Sequence, residues 1–237
     1  MRLQIEKLLI QMRLVNKSRL TTYLFTGRII WMSGHGYSVT KGDRGIDYEE
    51  SMTISKNGWN ARTWHLYSHS NTHMDAPKHF IDGGDTIDNT PLEVCMGPAW
   101  LIDLGEVQAR QLHTIADLGD YADKIQARDR VILKTGWEKK FGTDTFRDEL
   151  PRISKGLAEW FAEKQIALLG VEPPSVADVN DILEVTEIHK ILLGANITIV
   201  ESLKNLHQIK QGTIEFIALP LKLTDGDGSP VRALARI

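Results

Sequence analysis

The sequence predicts a mixed α/β or α+β protein built on one mixed sheet, and three observations carry the prediction. Short apolar runs at residues 99–104, 130–134, 167–171 and 197–200 have the length and aliphatic content of buried strands. Segments with apolar residues at helical spacing lie between them, so strands and helices alternate. The glycines and prolines are scattered as punctuation, with no linker and no internal repeat, which makes one folded unit the expectation.

Taken in order, residues 6–12 read as a helical turn or two, while Ser33-Gly34-His35-Gly36 and Lys56-Asn57-Gly58 read as turns. Residues 1–60 are read as an N-terminal arm or extension of the same unit, ahead of a main domain at 61–237. From Arg62, Trp64, Leu66 and Ser68 alternate with Thr63, His65, Tyr67 and His69, the period of a strand that would deliver His69 at its end. The strand at 99–104 is followed by an expected helix at 111–118 and the strand at 130–134. Ser154 is a fitting N-cap for a helix carrying Leu157, Trp160, Phe161 and Ile166. After the strand at 167–171, residues 187–193 read as helix, 197–200 and 213–219 as strands, and 225–228 as a turn.

The composition narrows the function. The chain has 237 residues, 42% hydrophobic, with 28 Lys plus Arg against 31 Asp plus Glu, and so is long enough to build its own core. A metal site in such a chain would be functional, because the fold needs no metal staple. A net charge of −3 without a basic run argues against nucleic acid, whose affinity comes from clustered cations. Cys95, the only cysteine, offers neither an intramolecular disulfide nor a Cys-rich zinc site and reads as a small core residue. Charges at Arg13, Lys17 and Arg19 interrupt any signal-like apolar region, and no apolar run approaches a membrane span, so the protein is read as cytoplasmic.

The informative stretch is His69-Ser70-Asn71-Thr72-His73-Met74-Asp75-Ala76-Pro77-Lys78-His79, an H-x3-H-x-D-x3-H pattern holding three of the eight histidines. Imidazole nitrogens and carboxylate oxygens are ordinary donors for zinc and manganese. Pro77 biases Ala76 away from helical geometry, so His69 and His73 need not be a helical pair, and Asn71 suits a left-handed turn between them. Any one of these histidines alone would be a common polar loop residue, but together they are ligand chemistry. Structural zinc sites are usually rich in Cys and closed, so this Cys-free set points to catalysis. With His69, His73 and Asp75 on a metal, a position remains for water, whose pKa the cation lowers, and His79 would stand beside it as proton carrier. His35, His65, His113 and His207 have no partner at ligand spacing and read as surface or satisfied core residues.

The segment 69–87, HSNTHMDAPKHFIDGGDTI, resembles the signature of the cyclase family of metal-dependent hydrolases, which includes bacterial kynurenine formamidases and isatin hydrolases. The family motif H-x-G-T-H-x-D-x-P-x-H is matched at His69, Thr72, His73, Asp75, Pro77 and His79, with Asn71 in place of the family Gly. The resemblance continues through Thr90-Pro91-Leu92-Glu93, Lys134-Thr135-Gly136-Trp137, the segments 188–193, 200–206 and 219–223, and Asp227-Gly228-Ser229-Pro230-Val231-Arg232-Ala233. It spans roughly 62–237. It implies a swivelling β/β/α fold, a second ligand pair at His189 and Glu201, and two divalent ions, zinc or manganese, bridged by Asp75. It further implies hydrolysis of an amide, formamide or lactam such as N-formylkynurenine or isatin, and a homodimer or higher oligomer. Trp64, Phe80 and Trp137 flank the motifs and read either as simple core packing or, as the resemblance implies, as walls of an aromatic substrate pocket. Two departures stand out. Relatives usually carry an Asp after the strand at 168–171, where this chain has Glu172-Pro173-Pro174-Ser175. The first sixty residues, which in relatives often shape a partner's pocket, match poorly.

The rival reading is a non-catalytic metal- or ligand-binding protein on the same fold, which would keep the ligands but need no His79. Dinucleotide binding at Gly34-His35-Gly36 lacks the third glycine, a calcium loop at 225–228 lacks its spacing and terminal Glu, and no G-x-S-x-G elbow occurs.

Overall fold

The computed structural model describes residues 28–33, 46–210 and 212–237. The turns expected at residues 6–12 and around His35 lie outside the described residues. In chain order the strands are β1 (Ile29–Trp31), β2 (Ile46–Met52), β3 (Ala61–Leu66), β4 (His73–Asp75), β5 (Met96–Asp103), β6 (Leu112–His113), β7 (Arg130–Lys134), β8 (Arg152–Ile153), β9 (Leu168–Val171), β10 (Thr198–Glu201), β11 (Thr213–Ile217), β12 (Gly228–Pro230) and β13 (Leu234–Arg236). The two main helices are α1 (Lys155–Lys164) and α2 (Ile182–Gly194).

Among the described residues, nine strands make one sheet in the order β1-β13-β11-β5-β7-β9-β10-β4-β12. The centre, β5-β7-β9-β10, is parallel, and both flanks are antiparallel. This is the mixed α+β architecture that the sequence predicts. The apolar runs are continuous because the central strands are buried on both faces. Val131, Leu133, Leu169 and Ile199 pack with Leu157, Phe161, Ile188 and Leu192 of the helices. Ile132, Leu168 and Val200 face the opposite way, into a second core with Ile30, Met74, Leu101, Phe216 and Ala235. Residues from eight of the nine strands of this sheet meet in that second core, so the sheet curls around it. Cys95 is buried there, its thiol pushed up to about 11 by burial, as a core residue.

Local chemistry sets the element ends. Ser154 caps α1 by accepting from the Leu157 amide at 3.1 Å, as its sequence position predicts. The helix expected at 187–193 starts earlier, at Ile182, because the Asp181 carboxylate accepts from the Leu183 and Glu184 amides. The helix expected at 111–118 is not formed. Leu112–His113 pairs in parallel with Arg152–Ile153 instead, and a 3-10 turn begins at Ile115 behind a reciprocal Thr114–Asp117 capping box.

The alternating strand before His69 does form, as β3, but it pairs with β2 in a separate two-stranded ribbon and ends at Leu66. The ribbon is exposed, with Tyr48 and Trp64 packed ring on ring at 5.2 Å and Arg62 over Tyr48. The chain then turns, with Ser70 N–H donating to Tyr67 O, and reaches β4 through Asn71 at φ 55°, the left-handed conformation expected of it.

Candidate metal centre

Strand alternation builds the site. On β4, His73 and Asp75 point to one face while Met74 points into the core. The register pairs Glu201 of β10 with His73, so a second carboxylate joins the same face. On α2, Ile188, His189, Leu192 and Leu193 form the buried stripe, and the one polar member, His189, reaches the two carboxylates. His69 arrives from the turn before β4.

The resulting cluster is tight. His69 Nδ1 lies 2.8 Å from Asp75 Oδ1, and His73 Nε2 lies 3.3 Å from both Asp75 Oδ1 and Glu201 Oε2. His189 Nε2 is 3.5 Å from Glu201 Oε1 and 3.9 Å from Asp75 Oδ2. Two donor groups follow from these distances, His69 with His73 and Asp75, and Asp75 with His189 and Glu201. Asp75 belongs to both.

Backbone carbonyls fix two of the rings. His73 Nδ1 donates to Asn71 O at 2.8 Å and His189 Nδ1 to Val185 O at 2.7 Å, so each turns Nε2 inward. Glu201 is held by the Val176 amide at 2.9 Å. The donor set fits a divalent cation. Two buried carboxylates face one another across imidazoles, and Asp75 Oδ2 has no hydrogen-bond partner among the described residues, a costly arrangement without positive charge.

Without a cation the histidines take that charge. Burial pulls the His73 imidazole down, but hydrogen bonds from its ring to Asp75 and Glu201 outweigh it and hold the ring well above its ordinary range. Burial would raise the Asp75 carboxyl, yet His69 and His73 hold it well below. His79 goes the other way: burial lowers it, with the charges of His69 and His189 assisting, so the ring is neutral near pH 7. His79 stacks on His69 with centroids 3.8 Å apart and meets His189 edge-on at 6.0 Å.

Of the three aromatic residues singled out in the sequence, the structure brings only Phe80 to the cluster, where it stacks on His189 at 4.4 Å and packs edge-on against His79. Trp64 stands on the exposed ribbon, 53% accessible. Trp137 is packed into a small core with Phe146 and Leu150, its indole N–H donating to Phe146 O. The remaining described histidines stay outside the cluster. His65 pairs with Glu49, His207 with Glu138, and His113 is buried.

The geometry agrees with the comparisons. A family model described as "Putative cyclase" matches residues 19–178, about two thirds of the chain. The chain belongs to the cyclase family. A kynurenine formamidase of Bacillus cereus is 33% identical over 196 residues, covering 82% of this chain and 89% of the relative. Isatin hydrolase A from Ralstonia solanacearum shares the fold with a TM-score of 0.77 at 22% identity, covering 94% of this chain and 97% of its own. A predicted metal-dependent hydrolase from Bacillus stearothermophilus superposes with a TM-score of 0.72 at 26% identity, over 89% of this chain and 98% of its own. The cyclase match contains His69 to His79 and ends before His189 and Glu201, which the fold brings to the same place.

One residue of the cluster escaped the sequence reading. Asp227, read as part of a turn, accepts from His69 Nε2 at 2.9 Å and lies 3.6 Å from His79 Nδ1. Its 158-position separation from His69 hides the contact from any local pattern. Among the described residues, no helix is long and apolar enough to cross a membrane.

Proposed function

We propose that this cyclase-family chain is a metal-dependent amidohydrolase that cleaves the C–N bond of a small amide, formamide or lactam of the N-formylkynurenine or isatin type. The observation that carries the reading is a pair of donor groups sharing the buried Asp75, with the His79 ring stacked on His69 beside them. The names of the relatives supply the substrate class. His69, His73 and Asp75 would hold one ion and His189 with Glu201 a second, Asp75 serving both. The nitrogen and oxygen donors suit zinc or manganese. Such ions supply a water of lowered pKa and a Lewis acid for the carbonyl oxygen.

The chain's own residues do the rest. The carbonyl contacts of His73 and His189 orient their rings in advance, so little reorganisation accompanies the reaction. His79, neutral by burial, takes the proton from the attacking water and returns it to the departing nitrogen, a poor leaving group unless protonated. Phe80 offers an aromatic wall beside His79. Trp64 would reach a pocket from the exposed β2–β3 ribbon of a second copy. An isolated two-stranded ribbon bearing Tyr48, Trp64 and Leu66 on its surface is poorly stable alone, which supports a homodimer or higher homo-oligomer. Trp137 would back the pocket from within the core. Residues 61–237 are read as the hydrolase domain and 1–60 as an arm of the same unit, in the cytoplasm.

The test is metal analysis of purified protein together with hydrolysis of N-formylkynurenine and isatin by wild type and His79→Ala. The expected result is bound metal in both proteins, with turnover reduced by roughly 10²–10⁴-fold in the variant. Wild-type protein that takes up no metal under replete conditions would refute the proposal.

A further inference from the structure

His69 differs from the other two imidazoles of the cluster. His73 and His189 each give their outer nitrogen to a backbone carbonyl, Asn71 O and Val185 O. Among the described residues His69 has no such carbonyl. Its Nδ1 faces Asp75, and its Nε2 donates to the Asp227 carboxylate at 2.9 Å. Asp227 is itself well placed to act as a fixed support. Its backbone carbonyl accepts from the Ala76 amide at 3.0 Å, and the next residue, Gly228, pairs with Asp75 across the β4–β12 ladder. The carboxylate is therefore tied to the strand that carries His73 and Asp75.

His69, His79 and Asp227 also lie close enough together to suggest a third metal-binding group. The rings argue against it. His69 and His79 are stacked at 3.8 Å with 25° between their planes, so their lone pairs lie in nearly parallel planes. An ion about 2.0–2.1 Å from each nitrogen would have to lie in both planes at once. A carboxylate accepting along the common edge of the stack suits this geometry, and a chelated ion does not.

We propose that Asp227 is a positioning residue, which holds His69 with its proton on Nε2 so that Nδ1 faces the metal centre, and through the stack keeps the His79 ring in place. The role rests on the metal-centre reading above. A carboxylate on the outer nitrogen of a metal-binding histidine commonly changes metal affinity by roughly 10–100-fold when it is removed.

The experiment titrates zinc into wild type, Asp227→Ala and Asp227→Asn in competition with a chromophoric chelator, and records long-range ¹H–¹⁵N imidazole spectra of the zinc-loaded proteins. The role requires that His69 carry its proton on Nε2 in the wild type. It also requires that Asp227→Ala lose affinity by roughly 10–100-fold with a disturbed His69 tautomer, and that Asp227→Asn, which keeps an acceptor, recover most of both. Wild-type affinity and tautomer in Asp227→Ala overturn the role. So does a wild-type His69 protonated on Nδ1, an outcome that needs no variant to fold. A wild type that takes up no zinc overturns the role and the metal centre together, whereas zinc uptake without turnover of either amide overturns the hydrolase reading alone.

Discussion

Replacing Glu172 by Gln tests the electrostatics of the buried contact between Glu172 and the Thr135–Trp137 loop. Glu172 follows β9 and is fully buried. Its Oε2 accepts from the Thr135 amide at 3.0 Å, the Thr135 hydroxyl at 2.8 Å and the Trp137 amide at 2.8 Å, while Oε1 has no partner among the described residues. Burial pushes the carboxyl up to about 7 from 4.5, the hydrogen bonds from Thr135 and Trp137 opposing and the charge of Glu138 adding. The folded protein thus keeps a proton that the unfolded chain releases between those values. Stability from this proton is fully present below the unfolded value and is lost as pH rises through about 7. A difference of about 2.5 pH units corresponds to about 3 kcal/mol. Gln mimics the protonated acid, keeping one acceptor towards Thr135 and Trp137 and placing its NH2 where Oε1 was. Urea denaturation of both proteins across pH 5 to 8.5 should therefore show the variant gaining on wild type as pH rises, the difference in unfolding free energy growing by up to about 3 kcal/mol. A difference that stays constant over this range would refute the argument.

A Cβ on Gly228 would stand 2.7 Å from His69 Cε1 and 2.8 Å from Met74 O, so Gly228→Ala must displace the ring or the strand. It should cost about 1–3 kcal/mol in urea denaturation and weaken zinc binding, and unchanged values of both would mean that the ring does not pack there. His113 is buried with both ring nitrogens unpartnered among the described residues, and burial lowers its pKa despite the charge of Asp117. Its contribution to stability is present above the unfolded value, about 6.5, and is lost as pH falls below it. His113→Leu should accordingly raise the melting temperature, and by more at pH 5.5 than at pH 7.5 in scanning calorimetry. An equal shift at both values would count against a buried neutral imidazole.

The fold was legible where burial is two-sided. Runs such as Val131-Ile132-Leu133 need no partner to be read as central strands, because both faces of the sheet demand apolar residues. Periodicity is silent where a local bond decides between neighbouring structures. Residues 111–118 have the composition of a helix, but the Thr114–Asp117 box starts a helical turn at Ile115 and frees Leu112 and His113 to pair with β8. The alternation at 62–68 was a true strand signal, yet period alone does not say which sheet a strand joins, and β3 joined an exposed ribbon.

The site divides in the same way. His69, His73, Asp75 and His79 are legible because they lie within one turn, one short strand and the single 3-10 turn after it, so spacing in sequence is nearly spacing in space. His189 and Glu201 depend on a helix and a strand that reach β4 only after the sheet is assembled, and the family resemblance, not their spacing, picked them out. Asp227 and Glu172 show the limit of such reading. Each is a carboxylate in a loop, and each acquires its chemistry from a partner that only the closed sheet supplies: His69 across 158 positions, and the Thr135 and Trp137 amides of the neighbouring strand end. The residues that carry donors were therefore visible before the residues that orient them, since a donor is recognised by type and a support only by contact.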